Sequence, residues 1–412
     1  MKKKILYILP DYSYATLNSL SIFNRPDKFE IKVVAPYNIN LLSNSILKKN
    51  KAIRRRINDW QTYSFPGIKI ITNNPFKLIQ SLWQYYKKYK FLNLTSILKR
   101  NLELQVIKKI DFAKYDILFS FDGCSLVYQK AAKEKGLVTI MESRGNHIDI
   151  ISEINGKINE CYGTHLPVKD DPGETWFNKL RTEVDFSDII VTYSEFQRKQ
   201  FQERLKTSQQ MVLKIPILSK FTFRPVAKKY SDGFTFIFVG NQAISKGLNL
   251  IKTIWYKRIN EIPDNISLSI IGNISSENAE FEKTKRIKYL GYFSPEKLKK
   301  YFSNNDLVLI HPSFYESYGM IIPEALSYCI PVITNQYCGA SELIIHEKYG
   351  LVYDNPFNTN KLEEMIISVV QNSSVARAFS ENIANSFDPS IVENQRNEEM
   401  GKLIQSIKTK LK

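Results

Sequence analysis

The chain has 412 residues, of which 43% are hydrophobic and 24% charged, with a formal net charge of +17. This length exceeds what one hydrophobic core usually supports, so we expect two domains of roughly 200 residues. The sequence contains no long low-complexity segment and no repeat, which excludes solenoid and disordered classes. No stretch reaches the ~18 apolar residues of a membrane-spanning helix. We expect a cytoplasmic protein, either free or peripheral at the inner membrane face.

The charge is concentrated in the first quarter of the chain. Residues 1–100 contain 19 Lys and Arg against 4 Asp and Glu, whereas the rest of the chain is almost neutral. This basic excess indicates an anionic partner or surface that meets residues 1–100.

The four cysteines lie far apart and form no CxxC pair, which favours a reducing compartment over a disulfide framework or a thiolate zinc site.

Short β-type runs alternate with helical patterns along the first half. The opening "MKKKILYILPDYS" resembles a signal peptide until Pro10 and Asp11 interrupt its apolar run, so we predict a first strand instead. Further strands are predicted in "FEIKVVAP", "YDILFSF", "LVTIMES" and "SDIIVTYS". Strands that alternate with helices of this length predict βαβ units and parallel sheets.

The alternation stops at "KIPILSKFTFRPVAKKYSDG" (214–233), which has two prolines, a basic cluster and no clean period. It restarts in "FTFIFVG", "ISLSIIGN", "RIKYLGYF", "DLVLIHPS" and "IPVITN". We therefore predict an α/β protein with two Rossmann-like, doubly wound domains facing a cleft. The predicted divisions are a first domain (1–215), a linker (216–232), a second domain (233–390) and a C-terminal helix (391–412), which we expect to pack back on the first domain.

A strand end in the second domain has features of a phosphate site. "FTFIFVGNQAISKGLNLI" predicts a buried strand, then Gly240, a short loop and a helix from about Lys246. A glycine at the strand end allows close backbone approach, and a lysine near free helix N–H groups favours phosphate. The alternative is an ordinary βα turn with a solvated lysine.

Two glutamates stand eight positions apart in "HPSFYESYGMIIPEALSYCIPVIT". At 100° per residue this spacing does not put both on one helix face, so we expect Glu316 in a loop and Glu324 in the first turn of a helix. Such carboxylates can meet two parts of one extended ligand, and each accepts two hydrogen bonds from a vicinal diol. The alternative is one helix-stabilising glutamate and one ordinary loop glutamate.

The ordered set of motifs resembles the retaining glycosyltransferases of family 4, which have the GT-B architecture and an E-x7-E signature. It comprises E-S-Y-G-M-x-x-P-E-A-L from Glu316, the K-G at Lys246 and the downstream "CGASELI". The resemblance is close over 234–354 and looser in the first domain, through "DFSDIIVTYSEFQRKQF". It implies that the first domain binds an acceptor and the second a nucleotide-sugar donor.

The resemblance also implies roles for individual residues. Glu316 is expected at the donor sugar, Glu324 at the nucleotide ribose, and Lys246 at the diphosphate. The other donor contacts that it implies are Gly240, Asn241, Gly319, Met320, Ile321, Tyr292 and Phe293, with the last two at the base.

The chain departs from the family in two places. Asn241 stands where the family usually has an arginine that contacts the diphosphate. Either another basic residue replaces this arginine, with Arg144 across the cleft as the candidate, or diphosphate binding is weaker, or the acceptor compensates for it. In "VTIMESRGNH", Arg144 stands where histidine is common, and His147 follows it. His147 is either a donor-sugar contact or a satisfied polar residue. The remaining histidines show no clustering and there is no D-x-D motif, so we expect neither a metal nor another cofactor.

The basic segment "PFKLIQSLWQYYKKYKFLNLTSILKR" interleaves lysines with aromatic residues. This pattern suits an anionic membrane surface or a lipid-linked acceptor. Nucleic acid is a less favoured partner with the same chemistry, and a solvated helix face is the plain alternative.

These observations predict a retaining, metal-independent glycosyltransferase that moves a sugar from a UDP- or GDP-sugar to a saccharide acceptor. A role in bacterial surface polysaccharide or lipopolysaccharide synthesis is our hypothesis for its setting. The alternatives are a sugar-nucleotide epimerase or a phosphorylase on the same fold, and a basic membrane- or nucleic-acid-binding protein with a decayed donor site.

Overall fold

The protein is represented by a computed structural model. It describes residues 2–9, 14–23, 25–35, 69–71, 106–168, 175–230, 233–240, 244–272 and 286–411. Most of the basic segment within residues 1–100, including its aromatic stretch, lies outside the described residues.

The first sheet is parallel, with strand order β3-β2-β1-β4-β5-β6-β7. Its strands are β1 (Lys3–Ile8), β2 (Phe29–Val34), β3 (Lys69–Ile71), β4 (Ile117–Phe121), β5 (Val138–Glu142), β6 (Ile189–Thr192) and β7 (Met211–Lys214). The helices described beside it are α1 (Tyr14–Leu20), α2 (Leu126–Glu134), α3 (Ile148–Tyr162), α4 (Thr175–Asp185) and α5 (Glu195–Gln202). Its central strands are buried on both faces, as parallel sheets covered by helices require.

The second sheet is also parallel, with strand order β10-β9-β8-β11-β12-β13. Its strands are β8 (Phe234–Val239), β9 (Ile266–Ile271), β10 (Ile287–Gly291), β11 (Leu307–His311), β12 (Val332–Asn335) and β13 (Gly350–Tyr353). The helices around it are α6 (Leu248–Lys257), α7 (Pro295–Asn304), α8 (Ile321–Leu326), α9 (Thr359–Gln371) and α10 (Ser373–Ser386).

Successive residues of β8 enter different cores. Phe236 and Phe238 pack with Trp255 of α6 on one face of the second sheet. Ile237 packs with Leu326 of α8 on the other face. This alternation follows from the two-residue period of a strand, and it explains why "FTFIFV" is apolar throughout.

A long final helix, α11 (Ser390–Lys410), returns from the second sheet to the first. Its residues Met400, Leu403 and Ile407 belong to the same core as the strands of the first sheet. Arg396 is buried, and its guanidinium donates to the carbonyl oxygens of Pro216, at 2.8 Å, and Asn18, at 2.9 Å. The C-terminal helix therefore ties the connecting segment to the first sheet.

The loops after the strands of the two sheets contact each other. Ser194, after β6, donates through its hydroxyl to the carbonyl of Ser317, after β11, at 2.7 Å. Ser317 in turn donates to the carbonyl of Arg144, after β5, at 2.7 Å. The phenol of Tyr315 donates to the Asn155 side chain of α3 at 3.2 Å. The carboxyl ends of both sheets therefore face a common cleft.

The structure confirms the predicted pair of doubly wound parallel sheets, and each predicted strand run contains an observed strand. The sequence patterns missed β3, β7 and β13, which are three- or four-residue strands at sheet edges. Residues 215–230 contain no helix or strand, as predicted for a linker. The exact domain boundaries stay a prediction. Among the described residues, no helix is long and apolar enough to cross a membrane.

Candidate functional site

The candidate site lies where the second sheet changes its winding direction. β8 and β11 are neighbours there, and the chain leaves them toward opposite sides of the sheet. In open α/β sheets, ligands bind in the crevice that forms at this point. Lys246 follows β8 and Glu316 follows β11, and their side chains form an ion pair although they are 70 positions apart in the sequence.

A cavity of about 340 Å³ opens around this ion pair, within the size range of small-molecule sites. It is lined by Arg144, Tyr193, Ile217, Val239, Gly240, Lys246, His311, Glu316, Ser317, Tyr318, Gly319, Met320 and Ile321. The structure thus brings together most of the residues for which the sequence predicted donor contacts, from both sides of the cleft.

Two glycines shape the backbone around the ion pair. Gly247 has φ +73°, and a Cβ there would lie 2.2 Å from the carbonyl oxygen of Pro312. This conformation ends a short 3₁₀ turn at Lys246, so α6 begins at Leu248 and not at Lys246 as predicted. Gly319 has φ +89°, and a Cβ there would lie 3.2 Å from Cγ of Glu316. The two glycines therefore let the Lys246 turn approach Pro312, and the Gly319 loop approach Glu316, more closely than a residue with a side chain allows.

The backbone between Glu316 and α8 offers hydrogen-bond donors. The N–H groups of Gly319, Met320 and Ile321 find no acceptor among the described residues. Helix α8 itself has only six residues, so its dipole adds less than the sequence-based interpretation assumed. The donor capacity of this loop therefore comes from individual N–H groups.

Glu324 lies in the first turn of α8, and Glu316 lies in the preceding loop, as their spacing predicts. The Glu324 carboxyl makes no hydrogen bond within the described part of the chain. Burial raises the pKa of Glu324 to about 7, and the nearby cations Lys299 and Lys220 oppose this rise. Glu324 is not among the residues that line the cavity around Lys246, so the two glutamates occupy different positions beside the cleft.

Arg144 reaches this cavity from the first sheet, on the loop after β5. Its guanidinium lies 3.5 Å from the carboxylate of Asp122 and over the ring of Phe121. The cavity therefore has a second cation beside Lys246, at the place where the sequence suggested a replacement for the missing arginine.

His147 takes a different place from the one that the resemblance implied. Its ring is buried against Phe201, and its Nδ1 accepts from the backbone N–H of Asp149, which caps α3. Burial lowers the pKa of His147 to about 4. It is not among the residues lining the cavity around Lys246, because the helix start holds its ring inside the first domain. His147 therefore caps a helix, and its position does not support the predicted contact with the donor sugar.

The remaining predicted contacts lie at the carboxyl ends of strands. Gly240 follows β8 and lines the cavity. Tyr292 and Phe293 follow β10, two strands away, where Tyr292 is exposed and Phe293 packs against Tyr301. Asn241 lies outside the described residues.

His311, which the sequence analysis set aside, lies in the centre of this site. It ends β11, lines the cavity and is 3% exposed. Burial lowers its pKa to about 4, with Glu316 and Lys246 close enough to influence it. Its Nδ1 has no hydrogen-bond partner within the described residues, and its Nε2 lies 3.3 Å from the hydroxyl of Ser313. Its position at the end of a predicted strand was the signal in the sequence that could have identified it.

A buried network supports the first-domain side of the cavity. The carboxyl group of Glu142, at the end of β5, accepts from the hydroxyls of Ser19 at 2.6 Å and Tyr193 at 2.5 Å. Burial raises the pKa of Glu142 to about 7, and both hydroxyl donors oppose the rise. Since Tyr193 lines the cavity, Glu142 helps to hold its ring there. Neither residue was identified from the sequence, because their contact joins positions 51 residues apart.

The second half of the chain matches a known protein family. Residues 219–386 match glycosyl transferases group 1. The lipopolysaccharide glucosyltransferase WaaG of Escherichia coli (strain K12) is 31% identical over 75 residues, which are 18% of this chain and 20% of that protein. An uncharacterized 41.2 kDa protein in the cps region of Klebsiella pneumoniae is 31% identical over 136 residues, which are 32% of this chain and 36% of that protein. The chain therefore covers well under half the length of these relatives.

A solved structure resembles the whole chain. Anabaena Alr3699/HepE in complex with UDP and glucose has a TM-score of 0.60 over 97% of this chain and 100% of that chain, at 14% sequence identity. At this identity the likeness shows the fold, and it confirms the predicted GT-B architecture. The chain thus has the two-sheet GT-B fold, and its residues 219–386 match glycosyl transferases group 1.

Proposed function

We propose that this protein is a retaining glycosyltransferase of family 4 that transfers a hexose from a nucleotide-sugar donor to a saccharide acceptor. The observation that carries the proposal is the cavity at the turning point of the second sheet. Lys246, Glu316 and the loop from Gly319 to Ile321 lie there together, opposite Arg144 of the first sheet. A donor held in this cavity has its reactive carbon in the cleft, where an acceptor can reach it.

The charges of the cavity suit a diphosphate leaving group. Lys246 pairs with Glu316 and Arg144 with Asp122, and both cations also line the cavity, where a diphosphate can share them. The N–H groups of Gly319, Met320 and Ile321 supply free donors. Hydrogen bonds to charged oxygens are stronger than neutral ones. Arg144 therefore compensates in this proposal for the arginine that Asn241 replaces.

The two glutamates hold the neutral parts of the donor in this proposal. The Glu316 carboxylate accepts from sugar hydroxyls while its ion pair with Lys246 keeps it in place. Glu324 accepts from the ribose diol, since its carboxyl group has no hydrogen bond within the described residues. His311 is held neutral by burial and lines the same cavity as Glu316.

The reaction needs positioning and charge stabilisation more than a nucleophile. The bond from the sugar's anomeric carbon to the diphosphate oxygen breaks, and the acceptor oxygen bonds to the same face of that carbon. The acceptor's hydroxyl proton passes to the departing phosphate oxygen, which leaves a nucleoside diphosphate. Lys246 and Arg144 stabilise the negative charge that develops on the diphosphate. Metal independence is part of this proposal.

The relatives favour a UDP-sugar as the donor and the synthesis of a surface glycan as the setting. The HepE structure is a complex with UDP and glucose, WaaG is named as a lipopolysaccharide glucosyltransferase, and the Klebsiella relative stands in a cps region. We therefore propose a UDP-hexose before a GDP-sugar, and an acceptor in surface polysaccharide or lipopolysaccharide synthesis. A lipid-linked acceptor, met at the membrane by the basic residues 1–100, is the part of the proposal that rests on sequence alone.

Thermal unfolding tests the donor site. UDP, GDP, UDP-glucose and GDP-mannose are added to the wild type and to Glu324→Ala and Lys246→Ala, with Lys361→Ala on the exposed face of α9 as control. A ligand at 100 times its dissociation constant stabilises the fold by about 2.7 kcal/mol. We expect a shift with one nucleotide series that both site variants reduce and the control keeps. No shift with any nucleotide would contradict the proposal and favour a decayed donor site.

Product analysis separates the transferase from an epimerase. An epimerase converts the bound UDP-sugar without an acceptor, whereas a transferase releases UDP at a rate that an acceptor increases. We expect UDP release with no isomerised sugar nucleotide.

A further inference from the structure

A second cavity, of about 620 Å³, lies in the first half of the chain beside the donor cavity. Its lining residues are Asp122, Gly123, Arg144, Gly145, Asn146, Ile148, Ile151, Asn155, Pro167, Trp176, Phe177, Leu180 and Tyr315. Arg144 lines both cavities, so the two spaces meet at this residue. Tyr315 closes the second cavity from the other side of the cleft.

Trp176 gives this cavity an open aromatic face. Its side chain is on α4 and is 49% exposed, which is unusual for a tryptophan. The ring leans on Gly123, where an added Cβ would lie 2.8 Å from Cη2 of Trp176. The small Gly123 therefore lets the indole approach the loop after β4. The ammonium group of Lys179 lies over the ring, 5.7 Å from its centroid, and the rest of the exposed indole surface is open to a ligand.

Asn146 supplies unused hydrogen-bonding capacity at the same cavity. It is 6% exposed, and neither its amide nitrogen nor its amide oxygen has a hydrogen-bond partner within the described residues. A buried polar group without a partner costs about 1–3 kcal/mol. A ligand with adjacent groups that both donate and accept can satisfy the two atoms together.

The charged groups around the cavity are already engaged. The Asp122 carboxylate accepts from the hydroxyl of Ser143 at 3.1 Å and from the backbone N–H groups of Arg144 and Gly145. The guanidinium of Arg144 lies against the same carboxylate. Lys179 donates to the carbonyl of Gly123 at 2.9 Å. The cavity therefore offers an aromatic face and a neutral amide, and its bordering charges are satisfied within the protein.

We propose that this cavity binds the ring of an uncharged sugar, stacked on Trp176 and hydrogen-bonded through two hydroxyls to Asn146. A sugar ring has apolar C–H faces that suit an aromatic surface, and hydroxyls at its edge that both donate and accept. This inference rests on the proposed function, in which that ring is the terminal sugar of the acceptor. Since the two cavities share Arg144, the bound ring lies beside the donor in this proposal.

Saturation-transfer NMR on the full chain tests this site directly. The probes are the methyl glycosides of glucose, galactose and N-acetylglucosamine at millimolar concentration, with uridine as a comparison ligand. The variants are Trp176→Ala, Trp176→Phe and Asn146→Ala. Tyr256→Ala removes an exposed aromatic residue of α6 and is the control. The melting temperature of each variant without ligand checks its fold.

We expect transfer to the ring protons of at least one glycoside in the wild type and in Tyr256→Ala. Trp176→Ala and Asn146→Ala should weaken binding at least about tenfold, and Trp176→Phe should retain part of it, because a smaller ring keeps the stacking surface. Absence of transfer from all three glycosides, transfer that Trp176→Ala leaves unchanged, or Trp176-dependent binding of uridine alone would each overturn the inference.

The shift in melting temperature that nucleotides produce in the wild type separates this inference from the proposed function. A nucleotide shift with no glycoside binding would overturn the sugar site alone. Trp176-dependent glycoside binding with no nucleotide shift would support the sugar site and contradict the transferase.

Discussion

In the proposed function, the ionisation of Glu324 links donor binding to pH. Because its pKa is raised to about 7 by burial, it is mostly protonated at pH 6 and mostly ionised at pH 8. The ionised form is the better acceptor for a ribose diol. We predict that affinity for UDP-glucose rises roughly tenfold from pH 6 to pH 8, following the ionised fraction of a group with this pKa.

Isothermal titration with UDP-glucose checks this prediction, since its phosphate diesters stay ionised over the whole range. Glu324→Gln should bind more weakly and with little pH dependence. Glu364→Gln, which removes an exposed carboxylate of α9, should keep the wild-type profile. If the affinity of Glu324→Gln for UDP-glucose still changed with pH as in the wild type, the effect would belong to another group.

Glu142 links the stability of the first domain to pH. Its folded pKa of about 7 lies above its ordinary value of 4.5, so the folded state retains a proton that the unfolded state releases. The stabilisation from this group is present in full below pH 4.5 and is lost as the pH rises through 7. We predict that Glu142→Gln, an amide that resembles the protonated acid, gains stability relative to the wild type between pH 5 and pH 8, by on the order of 2 kcal/mol.

Urea unfolding at pH 5 and pH 8 measures this difference. Glu381→Gln, which changes an exposed carboxylate on α10, is the control and should show a much smaller pH-dependent change. An equal stability difference between Glu142→Gln and the wild type at both pH values would mean that Glu142 is ionised in the folded protein.

At the scale of elements, the contact between the start of α6 and the end of β11 positions the ion pair. Gly247 and Gly136 both have φ near +75°, but a Cβ at Gly247 would collide with the carbonyl of Pro312, whereas a Cβ at Gly136 meets nothing within 4 Å. Alanine at either position carries the same backbone strain. The difference in the free energy of unfolding between the two variants therefore measures the cost of the collision. We predict that Gly247→Ala lowers the free energy of unfolding by at least about 2 kcal/mol more than Gly136→Ala.

Urea unfolding of the two variants measures this difference. The shift that UDP produces should also be smaller in Gly247→Ala, because the collision moves Lys246. Similar stabilities for both variants would show that the Pro312 loop relaxes without cost.

The sequence predicted strands and helices correctly where the residues of the element itself carry its hydrophobic pattern. The apolar runs of β8 and β11 predict buried strands without help from distant residues. The short strand β13 lies at the edge of its sheet, and its pairing with β12 depends on a neighbour that the chain places nearby only after folding. The start of α6 was misplaced because Pro312, a residue distant in sequence, requires glycine at position 247.

At the scale of the whole molecule, the last helix is held to the first sheet by Arg396. Its two hydrogen bonds reach the connecting segment and α1, and the residue is buried. Removing it takes a charged donor from both carbonyl groups, and the buried Pro216 carbonyl loses its donor, which is costly, whereas the Asn18 carbonyl still accepts from the hydroxyl of Ser21. We predict that Arg396→Ala lowers the melting temperature by several degrees and exposes α11 to exchange, whereas Arg377→Ala, at an exposed pair on α10, changes neither.

Hydrogen exchange followed by mass spectrometry checks the effect on α11. Faster exchange confined to residues 390–410 is the expected result. Unchanged exchange there would mean that the apolar contacts of Leu403 and Ile407 hold the helix without Arg396.

The sequence by itself determined the parallel α/β architecture and the placement of Glu316 in a loop and Glu324 in a helix, because each depends on local periodicity or spacing. It also led to Lys246 and Arg144, which stand beside strand ends. Only the tertiary structure decided that His147 caps a helix, that His311 and Tyr193 line the cavity around Lys246, and that Trp176 and Asn146 line a second cavity beside it. Burial and side-chain direction set these roles, and both depend on residues that lie far apart in the sequence.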